Sequence, residues 1–403
     1  MSENKTHIRR VLRSTADDNP PVGAVELFFD LVYVLTIIQL SHYLLYDLSW
    51  QGAAETAVLF LAVWWGWNYT AWAMNWLDPE HAGVRGLLVV LMLAALGMAI
   101  AIPDAFGGRA ALFAAAYVIF QLIRSAFMVA AFRGQVMGRN YAQLLAWSGF
   151  AGVFWIAGAF VPDDAQLVVW ALAVLIDYVA PLVGFWLPGV GGTDMADWPL
   201  AEEHLAERNR LVFIIALGES ILILGTLLSE IELSSSVVAA AVVGFATIVL
   251  LWWLYFSRRL GNAEHDAPER SEATAMARGA YAYAHALMVG GAIVVAVGIE
   301  QITHHPLEDA EWSMAGTVLG GPVLYLVGNV IFNAARTGVV PRSRLAALVA
   351  LAVLVPFVPA MSALVLGIAA LVVLAALAVV TGEIRTSTEP RAEQGAGQEA
   401  IGR

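Results

Sequence analysis

The sequence predicts an all-α polytopic membrane protein of about twelve transmembrane helices, arranged as two parallel six-helix repeats with both termini inside. Three observations predict it. Sixty per cent of the 403 residues are hydrophobic and 13% are charged, with a mean hydropathy of +0.73, which excludes an ordinary soluble protein. The apolar residues fall into runs of about 18–25, the length needed to cross a hydrocarbon core. The loops between those runs alternate between basic and acidic.

Taken in order, the predicted spans are 23–46, 52–76, 84–102, 108–132, 140–160, 166–187, 205–229, 235–257, 275–299, 314–335, 343–358 and 360–381. The first follows Lys5, Arg9, Arg10 and Arg13 and ends at Asp47. Arg85 opens the third, and Asp104 and Arg109 separate it from the fourth. Arg133 and Arg139 lie between the fourth and fifth, Asp163 and Asp164 between the fifth and sixth. Glu230 and Glu232 follow the seventh; Arg258, Arg259, Arg270 and Arg278 follow the eighth. Glu308, Asp309 and Glu311 precede the tenth, and Arg336, Arg342 and Arg344 flank the turn into the eleventh. Pro356 and Pro359 cut the eleventh from the twelfth, so a re-entrant pair is an alternative there. Basic residues thus collect on the side of the N-terminus, with Arg109 the exception and Arg124 alone well inside a span.

The predicted organisation is a cytoplasmic N-terminal segment 1–22, a first half 23–187, a cytoplasmic linker 188–204, a second half 205–381 and a disordered polar tail 382–403. No cleavable signal peptide is apparent. The parallel repeat rests on Glu26 with Glu207, Trp64-Trp65 with Trp252-Trp253, and Tyr117-Phe120-Gln121 with Tyr325-Gly328-Asn329.

Two segments place acids where lipid should forbid them. ELFFDL, from Glu26 to Leu31, puts two carboxylates four residues apart on one helix face. An intramembrane acid costs roughly 2.5–3.5 kcal/mol on insertion scales and so normally faces a partner, a cavity or a solute path. Glu26 could instead cap its helix, since acids favour the first turn. In HLAERNRLVFIIALGES, His204, Arg208, Ile215 and Glu219 fall within roughly 60° on a helical wheel, leading from the interface to mid-bilayer. The alternative for Glu207, Arg208 and Arg210 is an interfacial cluster that fixes depth.

ELFFDLVYV and HLAERNRLVFIIALGES together resemble the two signature segments of the bacterial low temperature requirement A family. The resemblance covers essentially the whole chain. It implies a multi-spanning inner-membrane protein linked by name to growth in the cold, with no settled substrate. It carries over Glu26, Phe29, Asp30, His204, Glu207, Arg208, Gly218, Glu219 and Ser220. Phe28, Asp30, Val32 and Tyr33 also resemble the opening of the first helix in the lysosomal potassium channel family, which implies a channel as a second reading.

Asp177 and Arg124 both lie near mid-bilayer, and a buried Arg124 calls for a carboxylate partner among Asp177, Asp30 and Glu219. Two deep acids then remain, making the interior net acidic and favouring a cation or proton over an anionic substrate. His42, His285, Gln121 and Asn329 are candidate pathway groups, with interhelical hydrogen bonding as the alternative. Trp67, Trp72 and Trp76 suit an interfacial aromatic belt, whereas Trp64 and Trp65 lie too deep for it.

No cysteine, zinc motif, P-loop, nucleophile elbow or intramembrane-protease pair is present, so no enzyme, metal or cofactor is predicted. The expected partners are the lipid bilayer and a small cation or solute, with no nucleic acid; a homo-oligomer is left open. The expected function is a proton- or cation-coupled secondary transporter using Glu26, Asp30, Asp177 and Glu219, with Arg124 and Arg208 as counter-charges. A cation channel lined by helices 1 and 7, or a non-transporting cold-stress scaffold, are the alternatives.

Overall fold

The computed structural model describes residues 11–13, 22–194, 198, 201–256 and 278–382. The expectations for Lys5, Arg9, Arg10, Arg258, Arg259, Arg270 and the tail from Arg385 lie outside the described residues, as do linker residues 195–197, 199 and 200. The described chain is helical throughout, with three isolated β-bridges and no strand.

Helices fall on every predicted run. They are α1 (Ala24–Tyr46), α2 (Trp50–Met74), α3 (Ala82–Ala101), α4 (Ala110–Ala131), α5 (Val136–Gly158) and α6 (Asp163–Val179). The second set comprises α7 (Glu202–Glu230), α8 (Ser235–Phe256), α9 (His285–His304), α10 (Trp312–Val318), α11 (Gly320–Thr337), α12 (Arg342–Leu354) and α13 (Ala363–Val380). Among the described residues, nine helical stretches are long and apolar enough to cross a bilayer. Helices α2, α5 and α6 stand outside that number: α2 and α5 carry more polar residues, and α6 is a 17-residue helix. The tenth predicted run is broken into α10 and α11 at Leu319.

Local sequence sets the ends. Ser49 caps α2 by accepting the Gly52 N–H, and His81 accepts that of Gly83 at the start of α3. Pro356 and Pro359 convert the end of α12 into a 3₁₀ turn, Val355–Ala360, and the combined stretch Arg342–Ala360 is long enough and apolar enough to cross. A π-helical turn, Arg278–Ala284, leads into α9.

Apolar side chains point both ways, as a lipid solvent requires. Leu27, Phe28 and Leu31 of α1 are exposed, while Glu26, Phe29, Asp30, Tyr33 and Ile37 are buried. Helix α9 is the most enclosed spanning helix and packs on α7, α8, α11 and α1. Its contact with α11 is backbone to backbone. A Cβ on Gly291 would lie 2.6 Å from the Tyr325 nitrogen, and one on Gly321 would lie 2.7 Å from that of Val295. Small residues permit this approach in lipid.

The first six helices meet the later ones mainly where α1 abuts α7 and α9. Trp64 Nε1 donates to the Ala282 carbonyl at 2.6 Å, in the π turn, and the Tyr283 hydroxyl donates to the Tyr178 carbonyl at 3.1 Å. Trp65 stacks on Tyr178 with ring centroids 4.0 Å apart. The two deep tryptophans therefore pack an interhelical seam. Positions paired in the repeat argument have unlike surroundings. Trp252 is exposed where Trp64 and Trp65 are buried, and Glu207 is exposed where Glu26 is buried.

Candidate functional site

Glu26 and Asp30 sit on the buried face of α1, opposite His204 and Arg208 of α7. Both residue pairs are spaced i, i+4, and the contacts join Glu26 to His204 and Asp30 to Arg208. Helices α1 and α7 therefore run parallel and in register at this point.

Arg208 is fully buried and divides its donors between the two acids. Nη2 and Nε reach the two oxygens of Asp30 at 2.6 and 3.1 Å, and Nη1 reaches Glu26 Oε1 at 2.9 Å. The side-on fork on Asp30 is the strong geometry for guanidinium and carboxylate. Trp67 Nε1 donates to Asp30 Oδ1 at 2.8 Å, and its ring lies 5.8 Å from the guanidinium carbon. Every carboxylate oxygen thus has a donor, the condition under which buried charge is tolerated.

Glu26 is also a cap. Its Oε2 accepts the Gly23 N–H at 2.7 Å, so the helix-start alternative and the buried-site reading hold together. The same oxygen receives Arg13 Nη2 at 3.3 Å, and Arg13 Nε binds the Met74 carbonyl at 3.0 Å. Burial pushes the Arg13 guanidinium pKa down, opposed by the neighbouring Glu26 and Asp78 charges. His204 Nε2 lies 3.1 Å from Glu26 Oε1 and 3.2 Å from Arg13 Nη2. Protonated, that nitrogen donates to Glu26; unprotonated, it accepts from Arg13. It cannot do both.

Arg208, expected as a counter-charge with an interfacial cluster as the alternative, is fully buried and bonded to α1. Two expectations are corrected here. Trp67 and Trp72 do not form an interfacial belt, because both are buried within the protein. Arg124 finds no acid within 4.0 Å among the described residues: Asp30 is taken by Arg208, and Asp177 and Glu219 lie elsewhere. Arg208 adds a second buried guanidinium to Arg124, and Asp177 and Glu219 are still the two deep acids outside any ion pair among the described residues.

The deep groups occupy two further places. Asp177 Oδ2 accepts from the Tyr117 hydroxyl at 2.8 Å and from Trp155 Nε1 at 3.3 Å, and Gln121 donates to the same hydroxyl at 2.7 Å. Glu219 is buried with Oε2 lacking a hydrogen-bond partner, as does the hydroxyl of buried Ser220. Neither acid has a basic partner within 4.0 Å among the described residues.

The remaining candidates scatter. His42 and Glu207 are exposed and do not join the buried cluster. His285 shares a 2.9 Å contact with the Tyr255 hydroxyl, and Asn329 accepts from Arg344 Nε. Both fit interhelical hydrogen bonding, and Arg344, in the first turn of α12, is itself buried. Among the described residues no group of three His, Cys, Asp or Glu could hold a metal. Sequence reasoning missed Arg13 and Trp67 as members of the cluster. The matching i, i+4 spacing of the two motifs was the available signal.

A family model described as bacterial low temperature requirement A protein (LtrA) matches residues 21–379, nearly the whole chain. The chain belongs to the LtrA family. A curated relative from Rhizobium meliloti (strain 1021), uncharacterized protein RA0937, is 37% identical over 348 residues, covering 86% of this chain and 84% of its own. Both LtrA signature segments meet in one place in this protein: Glu26 and Asp30 come from the first, His204 and Arg208 from the second.

Proposed function

We propose that this LtrA protein is a proton- or cation-coupled secondary transporter of a small solute. In this reading it crosses the bacterial cytoplasmic membrane twelve times, with both termini inside. The observation that supports it is the buried charge network joining α1 to α7, because α1 is the first helix set's main contact with the second. Separating those helices with the charges intact would leave buried ions unpaired, at a cost of about 3–5 kcal/mol. A proton on Glu26 or Asp30 would weaken the hold of Arg208 and lower that cost. The network then acts as a latch whose release depends on protonation.

The position of His204 Nε2, within reach of both Glu26 Oε1 and Arg13 Nη2, adds a third α1–α7 contact to the network. Asp177 and Glu219, deep carboxylates with no basic group within 4.0 Å among the described residues, are the other proton-carrying candidates. Rocking of the first helix set against the second would supply alternating access.

The test is flux in proteoliposomes at several pH values and cation gradients, wild type beside Asp30→Asn and Glu219→Gln. Coupled wild-type flux lost in both variants would support the transporter. Flux unchanged in both would sink this assignment, and currents far above carrier turnover would point to the channel instead.

A further inference from the structure

We infer that Arg124 is the binding group for a carboxylate ligand, held inside the first helix set. Its side chain is fully buried. Nη1 makes one bond, at 3.3 Å, to the Gly66 carbonyl. Nε and Nη2 have no hydrogen-bond partner among the described residues. No carboxylate lies within 4.0 Å among the described residues, and the guanidinium carbon instead sits 5.1 Å from the Tyr69 ring centroid and 6.0 Å from that of Phe120.

The unpartnered atoms are an informative pair. Nε and Nη2 form the side-on edge of a guanidinium, the edge that matches both oxygens of one carboxylate. Arg208 uses those two nitrogens to grip Asp30. The protein therefore contains the same fork twice, once closed on a carboxylate of its own and once not. A buried cation left so is costly, and an arrangement that costs stability within a membrane span commonly marks a ligand or solute path.

The surroundings suit a small carboxylate. Tyr69, which faces Arg124, also lines a cavity of about 30 Å³ together with Trp65, Asn68, Trp72 and Tyr141. That volume admits one or two waters. No acid lines it, and the Asn68 carbonyl and Trp72 Nε1 are buried without partners. Phe185 and Trp198, both buried, line the same cavity, and Trp198 packs against Trp76 and Tyr141 with centroids at 6.1 and 5.3 Å. Phe185 is held at φ 51, a left-handed conformation that non-glycine residues avoid. Arg124 does not itself line this cavity; Tyr69 links the two, its ring facing the guanidinium and its side chain forming part of the cavity wall.

The inference supplies the solute class for the transport reading and rests on it only for movement, not for binding. The full-length protein in nanodiscs would be titrated with sodium formate, acetate and benzoate. Sodium phosphate and sodium chloride at matched ionic strength serve as comparators. The expected result is a saturable rise in Tm and a saturable change in tryptophan fluorescence with at least one carboxylate. The apparent Kd should weaken at least tenfold in Arg124→Lys and binding should vanish in Arg124→Gln. In chloride alone, Arg124→Gln should melt no lower than wild type, because it discards an unpaired buried charge. A lower melting temperature without carboxylate binding in wild type would make Arg124 a structural residue and overturn the proposal. Response to phosphate alone would overturn the carboxylate assignment. Arg124-dependent binding without flux would sink transport and leave the site standing, whereas coupled flux unchanged in Arg124→Gln would sink the site and leave transport.

Discussion

Asp30 receives both Nη2 and Nε of Arg208, at 2.6 and 3.1 Å, across 178 residues of sequence. Glu26 and His204, one turn away on each helix, are separated by the same 178 residues. The two signature segments are thus one structural element divided between two parallel helices.

Removing the guanidinium from that element should cost more than weakening it. Arg208→Met leaves two buried carboxylates facing each other and is expected to destabilise the protein by about 3–5 kcal/mol. Arg208→Lys keeps the charge but loses the fork, with a smaller expected loss of about 1–3 kcal/mol. Denaturation in mixed micelles reads both, and equal losses would deny the fork its role.

Glu219 has the opposite expectation. Its Oε2 has no hydrogen-bond partner and its carboxylate no ion pair among the described residues, so Glu219→Gln breaks no ion pair there. Stability should hold or rise. A marked fall in melting temperature would reveal a structural bond that this geometry lacks.

Tyr117 joins Asp177 to Gln121 through its hydroxyl. Tyr117→Phe withdraws a donor from a buried carboxylate and leaves Trp155 as its remaining hydrogen-bond donor. The expected cost is about 1–3 kcal/mol. Trp155→Phe in the same background should then be additive only in part, since both act on one oxygen.

The glycines divide into two kinds. Gly291→Ala forces a Cβ against the α11 backbone and should cost about 1–3 kcal/mol. A Cβ on Gly218, beside Glu219 in the second signature, meets nothing within 4 Å. Gly218→Ala should therefore be neutral or stabilising by up to about 1 kcal/mol. If that variant is stable yet loses coupled flux, the role of Gly218 lies in movement or ligand approach rather than packing.

Much of the fold was legible because a bilayer asks for helices of fixed length, and apolar runs report that length directly. The breaks were less so. The π turn before α9 and the interruption at Leu319 depend on neighbours such as Trp64, which no run of hydropathy names. The acidic members of the site were legible because an intramembrane acid is conspicuous. Their partner was not, since hydropathy does not say which helices adjoin, and Arg208 sat close enough to a helix start to pass for an interfacial residue. Trp67 was hidden differently: a tryptophan near a helix end has a common explanation, and the hydrogen bond to Asp30 appears only once α1 and α2 are packed. Arg124 was recognised as deep, but of the three acids offered as its partner Asp30 is bonded to Arg208, and neither Asp177 nor Glu219 lies within 4.0 Å of it.

The separation of 178 residues also sets a schedule for biogenesis. At about 5–20 residues per second, roughly 10–40 s of synthesis divide the appearance of Asp30 from that of Arg208. Helix α1 must enter the membrane during that interval with both acids lacking their main counter-charge. Arg13, made first, is the only member of the network's basic groups at hand to attend Glu26. The nascent first helix set is therefore the vulnerable form of this protein, and arrival of α7 is the event that completes it.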